Sequence, residues 1–129
     1  MIELIGIHKS FNGQQVLGGI DLKIASGKIT VILGQSGEGK TVLLRHMIGL
    51  VRPDRGKVMV DGTDLATLDE IRLNEFRKRF GMLFQSGALF DSMTVGENIA
   101  FPLREHTAFS PEEISKKVRE KLALVGLEE

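Results

Sequence analysis

The sequence element that most limits how this chain can fold is the glycine-rich segment Gly34–Thr41, GQSGEGKT. It follows the pattern of a glycine, four further residues, a glycine, a lysine and then a serine or threonine. The β-branched, apolar run Ile29–Leu33 directly precedes it, and the helix-forming run Val42–Ile48 follows it and stops at Gly49. This order predicts a strand, a loop and a helix, with the strand buried on both faces and paired in parallel.

The residue types of this loop suit the binding of phosphate. Its glycines let backbone N–H groups turn toward an oxyanion, and the N-terminus of the following helix adds partial positive charge. Lys40 would neutralise the β- and γ-phosphates, while the Thr41 hydroxyl would coordinate the Mg²⁺ that bridges them. We therefore predict a nucleoside-triphosphate site here, the alternative being a plain structural turn. The predicted ligand-binding residues are Gly34, Gln35, Ser36, Gly37, Glu38, Gly39, Lys40, Thr41 and Val42.

Two short segments that flank the loop region predict β-hairpins. Apolar residues alternate on both sides of Asn12-Gly13, a dipeptide typical of a two-residue hairpin turn. Farther along, the short strand Lys57–Val60 is followed by Asp61-Gly62. Asp61 could be taken for an acidic metal ligand at a strand end, but the Asp-Gly pair and the short apolar run favour a hairpin connection.

The rest of the chain alternates helix and strand patterns. Asp69–Arg79 places apolar residues among charges, which predicts a helix, and Phe80–Phe84 predicts a strand. At Ser110 a serine is followed by a proline and, three residues after the serine, by a glutamate. This capping box predicts a helix that runs to about Val125, with Gly126 as its stop. We expect one continuous domain, or part of one.

Composition excludes several classes of protein. The 129 residues include 17 Lys plus Arg and 17 Asp plus Glu, so the formal net charge of zero argues against a surface built for nucleic acid. The chain has no cysteine, which excludes disulfides and thiolate metal sites and fits a reducing compartment. No apolar run approaches the roughly 18 residues that a membrane-spanning helix needs. We expect a soluble, intracellular α/β chain.

Residues outside the loop extend the pattern to a known family. Gln85 follows the predicted strand Phe80–Phe84, and Phe11 precedes the second predicted strand. With the loop, these positions make the chain resemble the amino-terminal part of an ABC transporter ATP-binding subunit, of α/β fold with a P-loop NTPase core. The resemblance implies ATP and Mg²⁺ as ligands, catalytic roles for Lys40 and Gln85, and Gln85 as a second metal ligand. It also implies that Phe11 stacks on adenine, where the family usually has tyrosine, and that Val16 lines the other side of the base.

A narrower resemblance comes from residues 83–106 and 34–46, which are similar to the ATPases of Mla-type, MCE-associated phospholipid transport systems. It implies a subunit that powers lipid movement from the cytoplasmic face of the cell membrane, bound peripherally. The implied partners are a membrane permease, contacted through residues 85–97, and a second copy of the subunit. Another ABC importer remains an alternative. So does a GTP-binding switch, although the chain has no Asn-Lys-x-Asp motif to recognise guanine.

The resemblance also predicts how the chain is divided. Residues 1–28 and 57–68 would form an antiparallel β-subdomain, 29–50 the P-loop strand and helix, 69–93 a helix, a strand and the Q-loop, and 94–129 the start of a helical subdomain. No segment matches the family's signature sequence, Walker B carboxylates or switch histidine. We therefore expect this chain alone not to hydrolyse ATP, whether it binds nucleotide or is a nucleotide-free piece. His8, His46 and His106 have no metal-ligand spacing and are interpreted as ordinary polar residues.

Overall fold

An antiparallel sheet with the strand order β2-β1-β3-β4 organises the amino-terminal part of the computed structural model, which describes residues 1–127. The strands are β1 (Ile2–Phe11), β2 (Gln14–Ile24), β3 (Arg55–Val60) and β4 (Thr63–Asp64). The helices are α1 (Lys40–Met47), α2 (Glu70–Arg77), α3 (Val95–His106) and α4 (Pro111–Ala123), with a 3-10 turn at Leu65–Thr67. The fold divides into two compact units, Met1–Phe80 and Gly81–Glu129.

Both predicted hairpin turns are confirmed. Asn12 and Gly13 have φ angles of 50° and 80°, and Asp61 and Gly62 have φ angles of 47° and 82°. Two consecutive left-handed residues are what a type I′ turn requires, and this turn matches the twist of the strands that it joins. The Asp61 carboxylate accepts hydrogen bonds from the amino-terminal ammonium group and from Arg79, each at 2.5 Å, which supports the turn interpretation over metal binding.

The core of the first unit lies between the sheet and helices α1 and α2. Gly49 ends α1 with a φ of 69°, and a Cβ atom there would lie only 2.8 Å from Leu73 Cδ1. The backbone conformation therefore favours glycine at this point, and a Cβ atom would also require the Leu73 side chain of α2 to shift. The buried apolar residues of this core are Leu4, Ile7, Leu17, Leu43, Met47, Val58, Val60, Leu65, Leu73 and Phe76.

His46 is buried within this core and is not the ordinary polar residue expected from the sequence. Its Nδ1 lies 2.7 Å from the Val42 carbonyl oxygen, one turn back along α1. Its Nε2 has no hydrogen-bond partner among the described residues. Burial lowers the pKa of His46 below its usual 6.5, although the hydrogen bond to Val42 acts in the opposite direction. The imidazole is therefore neutral, with the proton on Nδ1.

The strands predicted at Ile29–Leu33 and Phe80–Phe84 are wrong for the described chain. Neither segment is paired as a strand with any of residues 1–127. The side chains of Ile29, Leu33 and Leu83 are 96%, 88% and 90% exposed. A buried parallel strand needs a hydrogen-bonded neighbour on each side, and the four strands of the described sheet pair only with one another.

The second unit contains α3 and α4, and both begin with a capping box. At α4 the Ser110 amide donates to Glu113 at 2.7 Å and the Glu113 amide donates to Ser110 Oγ at 3.3 Å, which confirms the predicted start. This helix ends at Ala123, and Val125 is 69% exposed. The same pattern at Thr94 and Glu97 starts α3, which we did not predict as a separate helix. None of the described helices has the length and apolar character needed to cross a membrane.

His46 leads to a prediction about acid stability. Above pH 6.5 the residue is neutral in both the folded and the unfolded chain, so it does not affect the pH dependence of unfolding. Below 6.5 the unfolded chain binds a proton that the folded chain excludes, so the free energy of unfolding falls by at most about 1.4 kcal/mol per pH unit. Urea unfolding from neutral pH to about pH 5 should show this slope, and His46→Asn should remove it. An equal slope in His46→Asn would contradict the assignment, and the exposed His106→Asn serves as the matched control.

The exposed segment Ile29–Leu33 leads to a prediction about association. An unpaired, β-branched, apolar segment offers backbone groups to another chain, so the purified chain should self-associate as its concentration rises. Val31→Lys should suppress this association in sedimentation velocity experiments, because it places a charge within the segment. Ile71→Lys is the control, since Ile71 is 78% exposed on α2. Equal suppression by both substitutions would indicate a general charge effect.

Candidate functional site

The glycine-rich loop enters α1 through two left-handed glycines. Gly37 and Gly39 have φ angles of 87° and 82°, and Gly39 is the N-cap residue of α1. No side chain caps the first turn of this helix among the described residues. The first backbone N–H groups of α1 are therefore available to an external acceptor, and the helix dipole favours one that carries negative charge.

Gly39 is held against strand β2. A Cβ atom on Gly39 would lie 2.9 Å from Val16 Cγ1 and 3.1 Å from Leu17 Cδ2, so a larger residue would require these β2 side chains to shift. Lys9 pairs with Leu17 and Ser10 pairs with Gln15, so Val16 is the extra residue of a β-bulge. The structure thus brings Val16, a residue predicted for the site, into contact with the loop.

The loop is closed by hydrogen bonds between its own charged side chains and its backbone. Lys40 Nζ donates to the Gly34 carbonyl at 2.7 Å and also to the Gln35 carbonyl. Glu38 Oε2 accepts from the Gln35 amide at 2.6 Å and lies 2.7 Å from the position that a Cβ on Gly34 would take. The Gln35 amide thus binds an anionic carboxylate oxygen, and Lys40 binds two neutral carbonyl oxygens. Both arrangements fit a phosphate group, which would replace the carboxylate at Gln35 and the carbonyls at Lys40.

A cavity of about 320 Å³ lies beside the loop. Its walls include apolar side chains of β2, the extended segment 30–33, and the loop residues Glu38, Gly39 and Lys40. Because most of the lining is apolar, it does not suit a triphosphate. We attribute this space to the unpaired Ile29–Leu33 segment.

Three further predicted site residues are Phe11 and Gln85, which lie outside the loop, and Thr41, which ends it. Phe11 is the last residue of β1 and pairs with Gln14; its side chain is 43% exposed, which leaves ring surface for a base. Thr41 is exposed in the first turn of α1, next to Lys40. Gln85 is exposed in a turn of the second unit, so its predicted place beside the phosphates stays a prediction.

Sequence reasoning missed two charged residues near Phe11. Lys9 Nζ lies 5.3 Å from the centroid of the Phe11 ring and donates to Asp54 Oδ1 at 2.6 Å. The hydrogen bonds from Lys9 and from the Ser10 amide lower the pKa of Asp54 below its ordinary value. No local pattern links positions 9 and 54, because their contact depends on how the sheet is assembled.

Metal binding by the protein alone has little support in the described part of the chain. No group of three or more His, Cys, Asp or Glu side chains could hold a metal ion among residues 1–127. The Thr41 hydroxyl and the Gln85 amide are oxygen ligands of the kind that Mg²⁺ accepts, and Mg²⁺ usually takes its remaining ligands from phosphate and water. Any Mg²⁺ here would therefore depend on a bound nucleotide.

Comparison with known proteins gives consistent matches. A family model described as ABC transporter matches residues 17–129. The chain is 50% identical over 126 residues to a probable ribonucleotide transport ATP-binding protein, mkl, of Mycobacterium tuberculosis, covering 98% of this chain and 35% of the relative. It is 46% identical over 112 residues to the intermembrane phospholipid transport system ATP-binding protein MlaF of Escherichia coli, covering 87% of this chain and 42% of the relative. For MlaF of Haemophilus influenzae the identity is 42% over 127 residues, covering 98% and 48%.

Solved structures agree with the sequence matches. The dimeric bacterial ABC transporter cassette MJ0796 superposes with a TM-score of 0.90 at 32% identity. A post-hydrolysis dimer of the same cassette bound to ADP and Pi gives a TM-score of 0.89 at 31% identity. Each comparison covers 100% of this chain and 59% of the solved chain. The chain thus spans between a third and a half of the length of the curated relatives above.

Glu38 provides a test of the loop as an anion site. Glu38→Gln keeps an oxygen that can accept from the Gln35 amide and removes a negative charge from the place where phosphate would lie. The affinity for inorganic tripolyphosphate, measured by calorimetry, should therefore rise about fivefold, which corresponds to ~1 kcal/mol. The gain should shrink as salt is added, because exposed charges are screened. Glu75→Gln on α2 is the control, and unchanged affinity in Glu38→Gln would contradict the anion-site interpretation.

Proposed function

The chain belongs to the ABC transporter family and has the α/β fold of its ATPase cassettes, and we propose that Gly34–Thr41 bind the triphosphate of ATP. The observation that carries the proposal is the closed loop. Its Gln35 amide binds a carboxylate, Lys40 binds two carbonyls, and the helix beyond Gly39 begins without a side-chain cap. The Gln35 amide and the Lys40 ammonium would bind phosphate oxygens more strongly than these local partners, and the uncapped N–H groups of α1 would gain an acceptor.

Lys40 and Thr41 would act together on the triphosphate. The Lys40 ammonium would leave the Gly34 and Gln35 carbonyls and bind the β- and γ-phosphates as a cation. Bound Mg²⁺ would supply further positive charge to these phosphates, and Thr41 and Gln85 would hold it. Phe11 and Val16 would line the base, Phe11 through its ring face and Val16 through the bulge that places it against Gly39.

We infer that the complete subunit hydrolyses ATP and that the chain of 129 residues does not do so alone. No segment of this sequence combines an apolar strand with the carboxylates that would activate water in this family. Lys40 and Gln85 would contribute binding and orientation to the hydrolysis step. The partners we propose are a membrane permease, contacted through residues 85–97, and a second ATPase subunit, with the assembly on the cytoplasmic face of the membrane.

The transported substrate we propose is a phospholipid. Residues 83–106, which include the proposed Q-loop glutamine Gln85, resemble the corresponding part of Mla-type ATPases, and the two MlaF proteins are 42% and 46% identical to this chain. The mkl relative, at 50% identity, favours ribonucleotide transport as the second candidate by its name. Both candidates use the same ATP site, because the transported molecule is selected by the membrane partners.

A binding experiment tests the ATP site directly. Lys40→Ala should weaken the binding of Mg²⁺–ATP to this chain about 10- to 100-fold, the effect of losing a charge-assisted hydrogen bond to phosphate. Isothermal titration calorimetry measures this change, with Lys57→Ala on β3 as the matched control. In competition, GTP should displace ATP no better than ATP itself does. A clear preference for GTP would favour a GTP-binding switch, and equal binding by Lys40→Ala would exclude this loop as the site.

A further inference from the structure

Lys9 contacts two groups that are far apart in the sequence. Its Nζ donates to Asp54 Oδ1 at 2.6 Å and lies over the ring of Phe11, 5.3 Å from the centroid. The Lys9 side chain is only 16% exposed, although lysine side chains are usually solvated. An ammonium group this shielded, with one anionic and one aromatic partner, has a defined position.

Asp54 fixes that position from the turn that precedes β3. Its Oδ2 accepts from the Ser10 amide at 2.7 Å, and its own amide donates to the His8 carbonyl at 2.9 Å. These bonds tie the turn before β3 to the last residues of β1. The Lys9 ammonium is therefore held by a carboxylate that is itself anchored to the backbone beside Phe11.

The position of the Lys9 ammonium affects the orientation of the Phe11 ring. It is 43% exposed at the end of a strand, where a phenyl ring without a contact would exchange between rotamers. A cation within about 6 Å of the centroid attracts the electron-rich face of the ring and favours one orientation. The ring then presents its remaining accessible surface to a ligand in a fixed direction, which lowers the entropy lost on binding.

We propose that Lys9 is a positioning residue for the Phe11 ring and, through that ring, for the purine base of the bound nucleotide. This inference rests on the proposed ATP site and adds the residue that orients its base contact. Lys9 touches neither the base nor the phosphates in this arrangement. Its effect therefore depends on Phe11 and on the presence of a base.

The experiment compares a ligand that has a base with one that lacks it. Binding of Mg²⁺–ATP and of Mg²⁺–tripolyphosphate is measured by calorimetry for the unsubstituted chain, Lys9→Met, Phe11→Ala and the double variant. Lys9→Met keeps the aliphatic stem and removes the charge. It should weaken the binding of ATP about two- to fivefold, the size of effect expected from a modest cation–π contact, and leave the binding of tripolyphosphate unchanged. In the Phe11→Ala background, Lys9→Met should have no further effect.

Two further variants separate positioning from general stability. Lys9→Arg keeps a cation over the ring and should retain the ATP affinity. Lys23→Met removes a lysine on the same sheet that pairs with Glu3 at 2.7 Å and lies over no aromatic ring among residues 1–127, so this variant should bind both ligands normally. A loss in Lys23→Met equal to that in Lys9→Met would overturn the proposal, because any sheet ion pair would then suffice.

The remaining outcomes distinguish this inference from the proposed function. Equal weakening of ATP and tripolyphosphate by Lys9→Met would overturn it, because Lys9 would then act on the phosphates or on the fold. An effect of Lys9→Met that persists without Phe11 would overturn it as well, as would no effect at all where Phe11→Ala weakens ATP. If Phe11→Ala leaves ATP unchanged, base stacking and this inference both fail while the phosphate site stands. Failure of the unsubstituted chain to bind either ligand would overturn the proposed function itself.

Discussion

The contact between Gly39 and strand β2 is the constraint on which the rest of the candidate site depends. A Cβ atom at this position would lie within 3.2 Å of three atoms of Val16 and Leu17, one of them a backbone oxygen. Only glycine combines this close approach with a φ of 82°. The start of α1 therefore has a defined position against β2, and so do the first backbone N–H groups of the helix.

The same contact connects the loop to the hairpin that carries Phe11. Val16 is the bulged residue of β2, and its cross-strand neighbours on β1 are Lys9 and Ser10. Without the bulge, the side chain at position 16 would follow the regular alternation of the strand and leave the loop. One irregularity in strand pairing thus lets a single hairpin serve two purposes, because β2 supports the loop while β1 ends in an exposed aromatic ring.

Whether a feature of the fold or the site could be predicted depended on whether the residues that determine it are neighbours in the sequence. The turns at Asn12-Gly13 and Asp61-Gly62 and the start of α4 at Ser110 are specified by neighbouring residues, so the sequence predicted them. The loop Gly34–Thr41 was recognisable for the same reason. A strand needs a partner that its own residues cannot supply, so Ile29–Leu33 looked like a strand and is unpaired in the described chain.

Contacts between residues that are far apart in the sequence could not be predicted from local sequence patterns. Lys9 and Asp54 are 45 positions apart in the sequence, and no residue pattern near either position predicts their hydrogen bond. The burial of His46 was also hidden, because a histidine in the middle of a short helix faces the core or solvent depending on what packs there. The sequence predicts which residues would meet a phosphate, whereas the contacts of Lys9 and Asp54 at the end of β1 are visible only in the assembled sheet.

Helix α1 is held to the hairpin at both of its ends. Its first turn is fixed by the contact of Gly39 with β2, and the chain that leaves it returns to β1 through the bonds of Asp54 to Ser10 and His8. The eight helical residues of α1 form a spacer about 12 Å long, and residues 48–53 continue from its end to Asp54. Neutral His46, buried near the end of this spacer, adds no charge that would have to be solvated. Helix α1 therefore lies between two attachments to the same hairpin: the loop contact at Gly39 on β2, and the turn at Asp54 that holds the Lys9 ammonium beside Phe11 on β1.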